Sequence, residues 1–519
     1  MDGQTSMNGA EALVRTLHAG GVDVCFANPG TSEMQFVDAL DRTRLMRCVL
    51  GLFEGVVTGA ADGYGRIARK PAVSLLHLGA GLSNASANLH NAKRARTPML
   101  NLVGEHASWH VQYDPPLASD IAGLAGPVSH WVHTATDVSS LAADGAAALA
   151  AARSWPGRVA TLIAPGDKGW DMGGQTAEPL APEGPAAPDP EAVEAAARAL
   201  SGGGGLLFIG GHALERPETR ALAAAIAAAT GAQVLCPTSF RRIDRGGDTP
   251  GIERLPYAVD IALERLKGVR AAVLVETVRP PAFFGYPGKP SLLLPEGCET
   301  VTLADFGTDG PAALAMLAER LGATAAPAGP GPASPPRPQP GALTPETLAA
   351  AIGSVAVEDA IYIDEGITSG RAIYPALAGA PAHSWLPITG GAIGIGPPMA
   401  VGAAVAAPER PVIGLQADGS AMYTIQALWT AAREQLNVTW IVFANRTYEI
   451  LKHELARTGA NPGPSALALV DLDRPALDFV SLARGHGVDG EAVDCPAALA
   501  ARLEWAVKQP GPYLIEARL

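Results

Sequence analysis

Two stretches of this sequence are too rich in proline, alanine and glycine to continue regular structure: TAEPLAPEGPAAPDPEA (176–192) and TAAPAGPGPASPPRPQPGALTPE (324–346). Proline fixes φ and lacks an amide donor, so such runs read as linkers. They cut the 519 residues into three pieces of domain size: 1–178, 190–323 and, beyond a linker at 324–343, 344–519. Within each piece, short β-branched or leucine-rich runs alternate with alanine-rich helical patterns. That alternation predicts an α/β fold of three domains, each a largely parallel sheet flanked by helices. No fixed period recurs along the chain, so a solenoid is not expected.

Polar residues gather where the strand-like runs stop. VDVCFANPG (22–30) and KPAVSLLHLGAG (70–81) read as buried strands running into small-residue turns, GGLLFIGGHAL (204–214) and RAAVLVETV (270–278) as strands of the second piece. Neither of the latter carries GxGxxG, so a dinucleotide is not expected there. In the third piece DAIYIDEG (359–366), RPVIGLQADGS (410–420) and NVTWIVFANRT (437–447) are strand-like, the last two joined by a helical stretch. Open α/β sheets bind ligands at such strand ends.

Charge and cysteine usage narrow the classes of function. A formal net charge of −13 lacks the basic patches that nucleic acid requires. No run approaches the length of a membrane span, and the N-terminus reads as an amphipathic helix rather than a signal peptide, so a cytoplasmic location is expected. The five cysteines, Cys25, Cys48, Cys236, Cys298 and Cys495, show no CxxC spacing and read as small buried hydrophobes.

Asp418 and Asn445 end two strands and stand 27 residues apart, about one crossover unit. That spacing places two oxygen ligands side by side, with the Thr447 carbonyl as a third, a donor set that suits Mg²⁺ carrying a diphosphate. Strand-end Asp and Asn are also ordinary turn formers. Four further segments keep them company: ANPGTSEM (27–34), FEGVVTGAADGYGRIARKPAV (53–73), HLGAGLSN (77–84) and TGGAIGIGPPMAVGAA (389–404). Taken together and in this order, they resemble the thiamine diphosphate-dependent decarboxylase and carboligase superfamily. The closest likeness is to benzoylformate decarboxylase, with acetolactate synthase-like proteins as relatives.

The resemblance implies roles residue by residue. Glu54 would hydrogen-bond the aminopyrimidine ring of thiamine diphosphate, promoting the imino form that generates the ylid, and decarboxylation of a 2-oxo acid would follow through an enamine. Asn28 and Pro29 form the family's NPG turn. Gly391 would offer its carbonyl to the 4′-amine and Ile393 would wedge beneath the bent cofactor. Gly366, Thr368, Gly419 and Ser420 would meet the diphosphate, with Tyr448 beside them; Asp418, Asn445 and Thr447 would hold Mg²⁺. His77 and Thr31 match groups that contact the substrate carboxylate. Phe284, Ile450, Leu451 and Glu454 complete the implied pocket for a small 2-oxo acid, with an aldehyde as acceptor if carbon–carbon bonds are also formed. Family members share each active site between copies, so a homodimer or homotetramer is implied.

Three departures matter. Ala417 replaces the first glycine of the metal motif. RPPAFFGYPG (279–288) sets Phe283 or Phe284 where benzoylformate decarboxylase has a second histidine, and Glu454 stands where its pocket is aromatic. Loss of a proton donor favours carboligation, as in acetolactate synthase, although the FAD-associated segments of that enzyme are missing. A catalytically silent paralogue is the third reading, and an intact Glu54 with an intact metal pair weighs against it.

Overall fold

The computed structural model describes residues 7–323, 336–338 and 340–519. Most of the 324–343 linker and the first six residues of the N-terminal helix expectation lie outside them. The helix itself runs Gly9–Ala19, capped by the Asn8 side chain.

Three parallel sheets carry the chain. The first orders its strands Arg47–Leu50, Val24–Asn28, Val73–Leu76, Met99–Glu105, Val159–Pro165, Trp131–Thr134. The second runs Glu253–Arg254, Gln233–Cys236, Gly205–Ile209, Ala271–Val275, Glu299–Ala304. The third runs Ile243–Arg245, His383–Pro387, Ile361–Glu365, Val412–Ala417, Val438–Ala444, Tyr513–Arg518, Asp489–Val493. Strands such as VATLIAP and VTWIVFA are buried at every position, as expected where helices cover both faces of a sheet. Val412–Ala417 and Val438–Ala444 pair directly and in parallel. Asp418 and Asn445 therefore leave the same sheet edge from neighbouring strands.

Two findings depart from a simple division into three. Ile243–Arg245, from the middle of the 190–323 stretch, adds an antiparallel edge strand to the third sheet. The 176–192 stretch is a strap rather than a free tether: Ala186 exchanges backbone hydrogen bonds with Gly307 and Asp309 beside the second sheet. The cysteine expectation also needs correction. Cys25 and Cys236 are buried, but Cys48 is exposed, Cys298 and Cys495 are half-buried, and all five are free. Short edge and loop segments leave those three without a core to enter. Among the described residues no helix is long and apolar enough to cross a membrane.

The helix Glu54–Ala68 of the first piece lies directly on the helix Gly396–Ala406 of the third. Contact is backbone to backbone: a Cβ at Gly63 would strike the Met399 carbonyl, and one at Gly402 the Ala60 carbonyl. Arg66 completes the joint. Wholly buried, it pairs with Asp62 and donates to the Pro387 carbonyl (2.8 Å) and the Thr389 hydroxyl (3.1 Å).

In the second sheet the crevice between Gly205–Ile209 and Ala271–Val275, where strand order reverses, is filled from within. Glu276, at φ 47°, turns its buried carboxylate onto the backbone N–H groups of Ala213 (3.1 Å) and Gly310 (3.0 Å). These amides open helices, where a bound phosphate would otherwise sit. Burial raises the Glu276 carboxyl from 4.5 to about 7. Because the folded value is the higher one, its contribution to stability is whole below pH 4.5 and is lost as pH rises through about 7. Thermal melts at about pH 5.5 and about pH 8 should show this loss in the wild type and a smaller difference in Glu276→Gln. An unchanged difference would clear Glu276 of the effect.

Candidate active site

Functional side chains cluster at the carboxyl ends of the first and third sheets. Asn28 and Pro29 end the strand Val24–Asn28, and the Asn28 amide donates to the Gly51 carbonyl (2.7 Å). The chain then makes one tight turn, Thr31–Glu33, which leaves Thr31 exposed and buries Glu33. One Glu33 oxygen accepts from the Gly30 amide and from His77 Nδ1, both at 2.8 Å. Burial raises the Glu33 carboxyl, against the opposing pull of these bonds. With Nδ1 held by Glu33, the His77 ring is fixed in orientation and Nε2 is left to act.

Glu54 opens its helix and is buried. Asn84 donates to its Oε2 (2.9 Å), while Gly81 packs against the carboxylate closely enough that a Cβ would crowd it. Among the described residues no cationic side chain pairs with Glu54. Its carboxylate remains able to bond a ring nitrogen.

The 389–394 turn is gripped from two sides. From the helix Leu78–Ala95, Asn91 accepts from the Gly390 amide (3.0 Å) and donates to the Ala392 carbonyl (2.7 Å). Asn88 reaches the Gly55 carbonyl (2.8 Å). From the strand Ile361–Glu365, the buried Glu365 carboxylate accepts the amides of Gly394 (2.7 Å), Ile395 (3.3 Å) and Gly396 (2.8 Å), capping the next helix with negative charge. Gly391 has φ 78°, open to glycine, and lies against the Phe283 ring.

At the end of the third sheet, one cavity is lined by Thr368, Ile393, Asp418, Gly419, Ser420, Asn445, Thr447, Tyr448 and Ile450, with Ile367, Ala417 and Glu449. Gly366, Gly391, Leu451 and Glu454 lie outside this lining. Gly366 is pressed against Gly370 and Phe443, Leu451 is exposed, and Glu454 accepts from Tyr286 (2.7 Å) and Tyr257 (3.3 Å) and pairs with Arg457 (2.5 Å). Phe284 is exposed, edge-on to Phe283. Glu54, His77 and Thr31 also lie outside it. The Glu54, His77 and Thr31 group is thus not part of this cavity's lining, although Asn88 and Asn91 tie its side of the chain to the 389–394 turn.

Asp418 tests whether a cation fits. Only 3% exposed, it accepts the Gly419 (2.8 Å) and Arg446 (2.6 Å) amides, and no cationic side chain pairs with it among the described residues. Burial raises its carboxyl. A buried carboxylate without countercharge is costly, and Asn445 and the Thr447 backbone stand beside it, so the donor set fits Mg²⁺. The following turn fits a diphosphate: Gly419 is small and tucked beneath the Tyr448 ring, and the Ser420 hydroxyl beside it is oriented by the Ala417 carbonyl (3.1 Å) and the Gln416 side-chain amide (2.6 Å). Backbone strain marks the same places, with Leu78 (φ 51°), Ile367 (φ 45°) and Arg446 (φ 58°) each following a candidate residue. For the β-branched Ile367 this conformation is a real outlier, and such outliers concentrate at functional sites.

Sequence reasoning missed Glu33, Asn84, Asn88, Asn91 and Glu365. A signal existed for the three asparagines, which recur at i, i+4 and i+7 on one face of a helix otherwise rich in alanine and leucine. Glu33 and Glu365 act through backbone amides brought near only by folding.

Family models describing the thiamine pyrophosphate enzyme N-terminal and C-terminal TPP binding domains match residues 7–141 and 372–517. A Mycobacterium tuberculosis protein provisionally named acetolactate synthase large subunit IlvX is 50% identical, covering 98% of both chains. Benzoylformate decarboxylase of Pseudomonas aeruginosa is 30% identical over 97% of both. The solved thiamine diphosphate-dependent 4-hydroxybenzoylformate decarboxylase of Rhodococcus jostii superposes with a TM-score of 0.83 at 25% identity, covering 99% of each chain. With both cofactor-binding domains matched and the likeness running end to end, the chain belongs to the thiamine pyrophosphate enzyme family.

Proposed function

We propose that this enzyme decarboxylates a 2-oxo acid, in the cytoplasm, as a dimer or tetramer whose active sites each join the first sheet of one copy to the third sheet of another. The carrying observation is the His77 imidazole fixed by buried Glu33 at the edge that also holds Glu54. Sharing between copies is supported by the exposure of Leu52 beside Glu54 and of Tyr423 beside Gly394, and by the absence of Glu54, His77 and Thr31 from the cavity lining of their own chain. We read 1–178, 190–323 and 344–519 as the pyrimidine-binding, middle and diphosphate-binding domains.

Bound thiamine diphosphate supplies the carbon nucleophile that adds to the 2-oxo carbon and takes up the electrons released with CO₂. Glu54 would hold a proton at the aminopyrimidine ring nitrogen, the Gly391 carbonyl would accept from the 4′-amine, and Ile393 would support the cofactor from below. Asp418, Asn445 and the Thr447 carbonyl would hold Mg²⁺; Gly366, Thr368, Gly419 and Ser420 would meet the diphosphate beside Tyr448. Asn28 and Pro29 shape the turn that brings up Thr31, whose hydroxyl donates to the substrate carboxylate. His77 Nε2 delivers the proton that completes aldehyde release. Ile450, Leu451, Phe284 and Glu454 border the substrate.

Carboligation is the second reading, favoured by the Phe283 ring lying on Gly391. An apolar group there delivers no proton, which leaves more time for an aldehyde or a second 2-oxo acid to react. Product analysis with pyruvate, with and without an added aldehyde, separates the two.

Glu54→Gln should fold and bind cofactor but lose a factor of about 10² or more in turnover, as loss of a positioned acid does. An equally active variant would sink the mechanism. Asp418→Ala should abolish the Mg²⁺ dependence of thiamine diphosphate binding in calorimetry; an unchanged affinity would mean that the metal sits elsewhere. His77→Ala should slow aldehyde release and raise the ratio of acyloin to aldehyde, while C2–H exchange in the cofactor continues. Glu33→Gln should act in the same direction with a smaller effect. If product ratio stays fixed while exchange and release fall together, the pair is only a structural prop.

A further inference from the structure

Among the described residues Arg371 forms no ion pair, and the Glu454 carboxylate that acts on it from nearby is already paired with Arg457. Arg371 lies on the loop that follows the strand Ile361–Glu365, and its amide donates to the carbonyl of Thr368, which lines the cavity (3.4 Å). The side chain is half-buried and lies 4.8 Å from the centroid of the Tyr257 ring. Among the described residues it has neither a carboxylate partner nor a side-chain hydrogen bond. Burial depresses its pKa, an unfavourable setting for an unpaired guanidinium.

The neighbouring charges are already matched. Arg254 pairs with Asp364 (3.1 Å), Arg457 with Glu454 (2.5 Å), and on the cavity wall Glu449 turns to His453 (3.3 Å). Arg371 is therefore the open charge. Position ties it to the substrate side. Ile450 lines the cavity, Glu454 stands one turn further along the same face of the helix Glu449–Arg457, and Tyr257 bonds Glu454 while stacking on Arg371. Tyr257 also packs on Phe283, 5.2 Å between centroids, and Phe283 covers Gly391. One aromatic group thus spans from Gly391 to Glu454, with a single unspent guanidinium among its rings.

We propose that Arg371 receives a second anionic group on the substrate, so that the preferred 2-oxo acid is dicarboxylic. The planar fork of arginine suits bidentate capture of a carboxylate. This rests on the 2-oxo acid reading, and the test separates the two.

For the holoenzyme with thiamine diphosphate and Mg²⁺, kcat/KM is measured on 2-oxoglutarate, 2-oxoadipate and the monocarboxylic 2-oxohexanoate, which lacks the second anionic group, alongside calorimetric binding of glutarate, which needs no turnover. Arg371→Gln should lower the preference for the dicarboxylic acids about tenfold or more, chiefly through KM, and weaken glutarate binding similarly. Arg371→Lys should restore part of both. Equal glutarate affinity in wild type and Arg371→Gln overturns the assignment, as does a wild-type preference for 2-oxohexanoate. If glutarate binding depends on Arg371 while no 2-oxo acid yields CO₂ or acyloin, the anion site stands and the decarboxylase reading falls.

Discussion

Two helices without side chains at their crossing hold this molecule's chemistry together. Because Gly63 and Gly402 present bare backbone, Glu54–Ala68 and Gly396–Ala406 approach until Cβ-free surfaces touch. Everything placed relative to those helices inherits their precision: Glu54 at the start of one, the Gly391–Ile393 turn at the start of the other. A methyl group at either glycine would push the helices apart, and close-packed interiors do not absorb such a displacement locally. Arg66 adds direction to the contact, since its guanidinium can satisfy Asp62, Pro387 and Thr389 in one arrangement only.

Buried carboxylates recur at or just beyond the ends of four strands. Glu33 fixes an imidazole, Glu365 collects three amides at the head of a helix, Glu276 fills the crevice of the second sheet, and Asp418 waits on two amides beside Asn445. Only the first hydrogen-bonds an ionisable side chain. The others are held by backbone amides against a burial that raises each carboxyl, which fixes the sheet edges before any ligand arrives. The formal charge of −13 thus says little about the site itself.

The α/β class, the parallel sheets and the pairing of Val412–Ala417 with Val438–Ala444 were legible because buried strands and alternating helices write strong local patterns. The meeting of Asp418, Ser420 and Asn445 was legible too, because two neighbouring parallel strands joined by one crossover end at the same sheet edge. What escaped was set by distant pairing. Nothing in RRIDR (241–245) announces an edge strand for a sheet formed more than a hundred residues later. The tie between Glu454 and two tyrosines of the second piece is equally remote, and so is the hold of Asn91 on Gly390 and Ala392.

That borrowed edge strand bears on how such a chain can change over evolutionary time. Ile243–Arg245 lies in the interior of the 190–323 stretch yet closes the flank of another sheet, and its neighbours Arg241 and Arg242 reach back to carbonyls of the first piece. A cut made at the proline-rich boundaries would bare the row of amides on His383–Pro387, an open template for foreign strands. The middle portion is therefore not an exchangeable cassette. Recombination between relatives would have to carry this strand with its host sheet, so the three portions are bound to a common descent.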